Sequence, residues 1–369
     1  MKSFSLVFAS ALGLSAALMP LAMRLSVRFG AMSEVGGRNV GVTSVGRLGG
    51  VGIVVAAMGA IAVLIATNSA VARLLLTRPE LLVGLTVGGV AMAALGFVDD
   101  VWRVRAAVKF GVQILVGLFA YAMGFRIDAV MLPLFGNIDF GLLAPLVTVV
   151  WIAGVVNAIN LIDGLDGLAG GIVFFAALTN FAVGFVAGST LSSLFMAAIA
   201  GAVLGFLLFN WHPAKVYMGD SGSYFLGYVL ATSSVLGAAQ KASTTISILV
   251  PVLAMGVPIF DTLFAMVRRF LERRPVFSPD RGHVHHRLLD MGMTQRRVVI
   301  GLYGVSLLLT GVGVMVAFER NREIGAVVVG SSVAALGVWG WTFGRSKGRD
   351  IIERRSNRDS LHPGAPQSR

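Results

Sequence analysis

Apolar positions in this chain come in long, nearly charge-free runs rather than in the alternation of a soluble fold. Windows of about 17–25 apolar residues, the length a helix needs to cross a hydrocarbon core, fall near residues 4–27, 48–67, 80–98, 108–124, 141–156, 167–187, 190–209, 223–240, 245–270, 298–318 and 324–343. The pattern predicts an all-α integral membrane protein of about 11 transmembrane helices. The first run, MKSFSLVFASALGLSAALMPLAM, has the Lys and apolar stretch of a signal peptide. At about 20 residues it exceeds a signal h-region and further spans follow, so it is expected to be retained as the first helix. Residues 125–140, FRIDAVMLPLFGNIDF, alternate like a strand pair around Pro133 and a Gly-Asn step, which predicts a short extracytoplasmic hairpin. Neither a repeat nor a linker breaks the chain. Residues 1–344 read as one polytopic domain and 345–369 as a basic, disordered cytoplasmic tail.

Composition agrees. Hydrophobic residues make up 56% and charged residues 13%, against about 25% charged in soluble domains, and mean hydropathy is +0.83. The 46 glycines suit close helix packing in lipid. With no cysteine, disulfides, thiolate nucleophiles and Cys-ligated zinc are excluded. The net charge of +12 is concentrated in residues 268–297 and after Gly344. Basic segments beside membrane helices are topology signals rather than a nucleic-acid footprint. With the N-terminus outside, the odd-numbered loops and the C-terminal tail carry 23 of the 30 Lys and Arg, which makes them cytoplasmic and places the protein in the inner (cytoplasmic) membrane.

The unusual polar residues all fall on those cytoplasmic loops. NAINLIDGLDGLAGG (157–171) carries Asp163 and Asp166 between uncharged apolar runs, although an ionised Asp costs about 2.5–3.5 kcal/mol at a membrane centre. The two lie at i and i+3, on one face if helical, and a cap for a helix starting near Gly167 is the plain alternative. GFVDD ends in Asp99 and Asp100, followed by Lys109 and Gln113; NWHPAKVYMGDSGS supplies Asn210, Lys215 and Asp220; SPDRGHVHHRLLDMG supplies His283, His285 and His286. Each motif alone has a structural explanation as a cap, a packing glycine or a loop surface. Together they put five carboxylates, three histidines and several cations on one membrane face.

Aspartates without cysteine suit a hard cation, Mg²⁺ or Mn²⁺, which takes one or two carboxylates and fills its shell with water and phosphate oxygens. Neighbouring Lys, Arg and His suit a diphosphate, and an unligated acid suits a proton acceptor. A soluble diphosphate donor meeting a lipid-borne phosphate would explain a site at the interface. A transporter is the rival class, but its acids would lie near the midplane between repeats. A non-catalytic scaffold would not need the acids and histidines together.

These four motifs, in this order over about residues 40–300, resemble the polyprenyl-phosphate N-acetylhexosamine-1-phosphate transferases. The resemblance implies ten or eleven membrane helices, a cytoplasmic site, and transfer of a HexNAc 1-phosphate from a UDP-sugar to polyprenyl phosphate with release of UMP, using Mg²⁺ or Mn²⁺. It implies that Asp220 is the principal metal ligand, that Asp99 and Asp100 support the metal and deprotonate the lipid phosphate, and that Asp163 is a catalytic acid. It places Asn160, Gly164, Leu165, Asp166, Asn210 and Tyr217 around the nucleotide, with Tyr217 stacking on uracil. The resemblance also implies that Lys109 binds phosphate and that His283, His285 and His286 contact diphosphate or sugar. The interrupted HVHH after SPDRG is similar to WecA-type members, whereas MraY-type members, the alternative, have three consecutive His. Loop one keeps Arg47, Gly49 and Gly50 but has Asn39, Gly41, Ser44 and Gly46 where the family pattern has Lys, His and two Pro. The resemblance makes GlcNAc the default sugar. Other HexNAc donors, prenyl length and a homodimer stay open.

Overall fold

A computed structural model describes residues 1–33, 44–132, 136–239, 253, 255–271 and 283–318. The helices are α1 (Lys2–Arg28), α2 (Gly49–Ala66), α3 (Ala70–Leu76), α4 (Pro79–Trp102), α5 (Ala106–Ala122), α6 (Ala144–Ile162), α7 (Leu168–Ala187), α8 (Thr190–Asn210), α9 (Gly219–Ala239), α10 (Gly256–Leu271), α11 (Val284–Asp290) and α12 (Gln295–Phe318). Among the described residues, six helices are long and apolar enough to cross a membrane. The expected hairpin is present. β1 (Ala129–Leu132) pairs antiparallel with β2 (Gly136–Asp139), Ala129 opposite Asp139. The window at 324–343, the tail 345–369, and Asn39 and Gly41 of loop one lie outside the described residues.

Several helices run further than their apolar windows. α4 continues through Asp99 and Asp100 to Trp102, α6 reaches Ile162, and α9 begins at Gly219. Hydropathy falls at the first charge, but a helix stops only where its backbone ladder is broken. In α4 that happens at Arg103, which adopts a left-handed conformation (φ 53°). Two short helices escape the apolar windows altogether. α3 is started by the Ser69 hydroxyl, which accepts the Ala72 N–H at 3.2 Å, and α11 carries His285 and His286.

The long helix α9 forms the centre, packed against α2, α4, α6, α7 and α8. Its turn from Tyr224 to Ala231 is buried on every side. Tyr228 donates to the Gly84 carbonyl of α4 at 2.7 Å, and Trp151 of α6 donates to the Ala231 carbonyl at 3.1 Å. These bonds spend buried polar groups on fixing helix register. Outward-facing positions remain apolar, including Leu21, Val55, Val87, Leu115, Val150 and Leu208. Such a surface matches lipid rather than water. At Gly96 of α4 any Cβ would collide with the Asp220 backbone of α9. That contact brings the acidic ends of α4 and α9 together.

Candidate active site

At the α4–α9 junction two consecutive acids diverge because each helical step turns about 100°. Asp100 points at the start of α9. Its two oxygens accept the Asp220 and Ser221 amides, each at 3.0 Å, so a carboxylate of one helix caps another. Arg47 completes this side, 3.3 Å from Asp100 and 3.7 Å from Asp220. Asp99 points the other way. It accepts from Lys109 Nζ at 2.6 Å, the Val104 amide at 2.7 Å and the Tyr224 hydroxyl at 3.4 Å. The Asp99 carboxylate also meets that of Asp220. Touching carboxylates repel unless a proton or a cation lies between them. Asn160 Nδ2 orients Asp220 at 2.8 Å and reaches Ser223 Oγ at 2.9 Å.

Arg47 is delivered by a backbone ladder. Gly46 bridges Val216 in parallel, Tyr217 N donates to Gly46 O at 2.7 Å, and Gly49 and Gly50 donate to the carbonyls of Tyr217 and Met218 at 3.0 and 2.8 Å. Gly219 then turns the chain into α9 with φ +70°, where a Cβ would stand 2.6 Å from an Asp100 oxygen. Loop one and the α9 entry are therefore one unit, despite lying some 170 residues apart in sequence.

The turn 163–167 is not helical, so Asp163 and Asp166 do not share a helix face and neither caps α7. Asp163 terminates α6. Asn210 does what a cap would do: its Oδ1 accepts the Gly167 amide at 2.9 Å while its Nδ2 donates to Val216 O at 2.8 Å. Asn210 is thus a buried tie between α7 and the α9 entry. Asp166 Oδ2 accepts from His212 Nδ1 at 2.6 Å and from the Ala214 amide at 3.1 Å. Burial, reinforced by the charges of Asp100 and Asp166 and opposed by Arg47 and the Gly219 amide, pushes the Asp163 carboxyl up to about 7. Burial, with Asp166 and Asp163 beside it, pushes the Tyr217 hydroxyl up to about 12. Leu165 is buried under the turn.

The histidines reach the same end from α11. Asp261 of α10 accepts the His283 Nδ1–H and the Val284 amide, both at 2.9 Å. His285 is buried between its neighbours, its ring 5.7 Å from that of His283 and 4.3 Å from that of His286. Burial first, and then the neighbouring His286 and His283 against the opposing pull of Asp261, hold its pKa down at about 3. It is a neutral ring at physiological pH. A Cβ at Gly164 would lie 2.9 Å from His285 Nε2, so only a bare backbone lets the histidine segment close on the 163–167 turn.

The fold thus gathers Arg47, Asp99, Asp100, Lys109, Asn160, Asp163, Asp166, Tyr217, Asp220 and His285 at one end of the bundle. Sequence reasoning missed His212 and Asp261. An acid inside an apolar window, as in IFDTLFA, was the available signal for Asp261; for His212 there was none beyond its neighbours. Among the described residues no group of three or more His, Asp or Glu is arranged to hold a metal ion. Mg²⁺ needs only one or two carboxylates when phosphate and water supply the rest, and the Asp99–Asp220 pair fits that demand.

Fold and site together define an all-α, multi-pass membrane protein whose acids and cations are collected at one end of its helices. Residues 82–238 match the description Glycosyl transferase family 4. The chain is 35% identical over 292 residues to a Bacillus subtilis protein named as a probable undecaprenyl-phosphate N-acetylglucosaminyl 1-phosphate transferase, covering 79% of this chain and 78% of that one. It is 35% identical over 334 residues to the decaprenyl-phosphate N-acetylglucosaminephosphotransferase of Mycobacterium tuberculosis, covering 84% and 82%. With a phospho-N-acetylmuramoyl-pentapeptide-transferase of Heliobacterium modesticaldum the identity is 33%, over 63% of this chain and 74% of that protein. The chain belongs to glycosyl transferase family 4, among the WecA-type polyprenyl-phosphate N-acetylhexosamine-1-phosphate transferases.

Proposed function

We propose that the protein transfers N-acetylglucosamine 1-phosphate from UDP-N-acetylglucosamine to a polyprenyl phosphate such as undecaprenyl phosphate, releasing UMP. The observation that carries this reading is the meeting of Asp99 and Asp220 between Lys109 and Arg47 at one end of a lipid-facing bundle. An oxygen of the lipid phosphate attacks the sugar-linked phosphorus, and the oxygen bridging the two donor phosphates leaves with UMP. Asp220 with Asp99 would hold Mg²⁺ or Mn²⁺, which supplies charge neutralisation on the donor diphosphate. Arg47 and Lys109 add positive charge where the phosphoryl group moves. Asp163, held up at about 7, is matched to accept a proton from the acceptor phosphate near neutral pH. Asp100, whose two oxygens hold α9, keeps the acids in place. Neutral His285 reaches sugar or diphosphate through hydrogen bonds rather than charge.

The site belongs on the cytoplasmic side in an arrangement of about 11 spans with the N-terminus outside. A chain without native cysteine tests this cleanly. Cysteines at exposed Lys215 and at Ile138 of the hairpin should label from opposite sides, and labelling from one side would refute the arrangement. For the reaction, purified protein should be given undecaprenyl phosphate and a panel of UDP-sugars, with the lipid product weighed by mass spectrometry. A product from UDP-GlcNAc supports the assignment. A product only from another UDP-sugar, including the MraY-type muramoyl-pentapeptide donor, would replace the sugar.

A further inference from the structure

We propose that His212 is a positioning residue for the nucleotide base, holding the Asp166 carboxylate so that one oxygen stays bonded to protein and the other faces a ring N–H of the ligand. This rests on the reading of the chain as a UDP-sugar transferase and adds a residue that touches neither phosphate nor metal. An ionised carboxylate can only accept, so at 2.6 Å His212 Nδ1 carries the hydrogen given to Asp166 Oδ2. The Ala214 amide donates to the same oxygen at 3.1 Å. Among the described residues no hydrogen bond is made to Oδ1. Asp166 is 13% exposed, while the imidazole, at 39%, stands outside it. His212, the more exposed of the two side chains, thus holds Oδ2 and leaves Oδ1 without a protein donor among the described residues. The Asp166 charge is felt by both Tyr217 and Asp163, so Asp166 belongs to the side-chain cluster already described.

The histidine is itself held. Arg296 of α12 donates to the His212 carbonyl at 3.0 Å. The neighbouring Trp211 ring lies 6.4 Å from that of Tyr303, whose hydroxyl donates to Gly167 O. The turn 163–167 and the segment 211–214 are thus pinned to one helix, which fixes the carboxylate plane. A fixed acceptor in the same cluster as the aromatic Tyr217 suits a planar base with a ring N–H, as uracil has at N3. Cytosine offers a lone pair there and would be repelled.

The test uses the full-length protein in detergent, titrated calorimetrically with UMP and with CMP, together with kcat and KM for UDP-GlcNAc. His212→Ala should weaken UMP about tenfold, the effect of losing one charge-assisted hydrogen bond. It should also narrow the preference for UMP over CMP, and raise KM while kcat stays within about threefold. His212→Asn, whose amide nitrogen can stand near Nδ1, should recover most of the affinity, and His212→Gln, whose amide reaches the Nε2 position, should not. This pair carries the test even if the alanine variant fails to fold. Asp166→Ala should weaken UMP at least as much, with no further loss on adding His212→Ala. An unchanged UMP affinity in His212→Ala, equal rescue by Gln and Asn, or additive losses in the double variant would overturn the proposal. If Asp166→Ala itself leaves UMP binding intact, the nucleotide reading of the turn falls too, whereas a weak Asp166→Ala beside a silent His212→Ala removes His212 alone.

Discussion

The α4–α9 junction and the histidine segment meet at the same end of the bundle but are held by different means. At the junction the anchors are backbone: Gly96 lies under Asp220, and α9's first amides sit on Asp100. The histidine segment rides on a seven-residue helix whose N-terminal end is gripped by a carboxylate, Asp261, through His283 and the Val284 amide, with His285 and Leu288 packed inward by their side chains. Long helices packed to the backbone resist displacement, whereas a short helix held through side chains is more easily moved. Substitutions at the junction should therefore mix stability with chemistry, and those at the histidine segment should change chemistry more than stability.

The largest effect is expected at Asp220. Asp220→Asn keeps the size but removes the charge facing Asp99, and turnover should fall at least about 100-fold, some 2.7 kcal/mol in the barrier. Activity above about a tenth of wild type would remove Asp220 from its role as main ligand. Asp99 and Asp100 sharpen the contrast inside the junction. Asp100→Asn puts an amide donor against the α9 amides and should cost about 1–3 kcal/mol of stability, read as a lower thermal midpoint. Asp99→Asn should lower the rate with little change in midpoint. Equal midpoints for the two variants would erase the distinction between capping and chemical acid.

A smaller rate loss, about 10-fold to 100-fold, is expected for His285→Ala, with the Mg²⁺ dependence of the rate unchanged. Rescue to near wild type by excess Mn²⁺ would instead make the histidines a metal site and dissolve the comparison. The smallest effect concerns pH. Asp163 holds its proton more tightly folded than unfolded, since its carboxyl sits at about 7 rather than the ordinary 3.8. Its contribution to stability is therefore complete below about pH 4 and lost as pH rises through about 7. Without added metal, Asp163→Asn should gain in thermal midpoint relative to wild type as pH rises across that window. A constant difference would show that the carboxyl is not held up by burial.

Much of this was legible in the sequence because apolar runs and charge asymmetry are local signals. The hairpin at 129–139 and the positions of the long described helices follow from them. So does the gathering of Asp99, Asp163 and Asp220, since each lies at the end of an apolar run. What the runs do not encode is register between segments. The bonds from Asp100 to α9 join residues 120 apart, and nothing in GFVDD says which acid faces inward. Asn210, expected near the nucleotide, also ties the 163–167 turn to the α9 entry through one bond from each end of its amide, which no local pattern shows. Asp163 and Asp166 were i, i+3 partners only on the assumption of a helix, and the chain turns there instead. The histidine helix, at seven residues, is too short for a hydropathy window to register.

The account turns on a transfer that needs both substrates at the acid pair. Its most direct test measures UMP release and lipid product together in wild-type protein given UDP-GlcNAc and Mg²⁺, with and without undecaprenyl phosphate. The account predicts UMP and lipid-linked product in equal amounts, only with the lipid present, and none after chelation of the metal. UMP released without lipid, or undiminished by chelation, would contradict it.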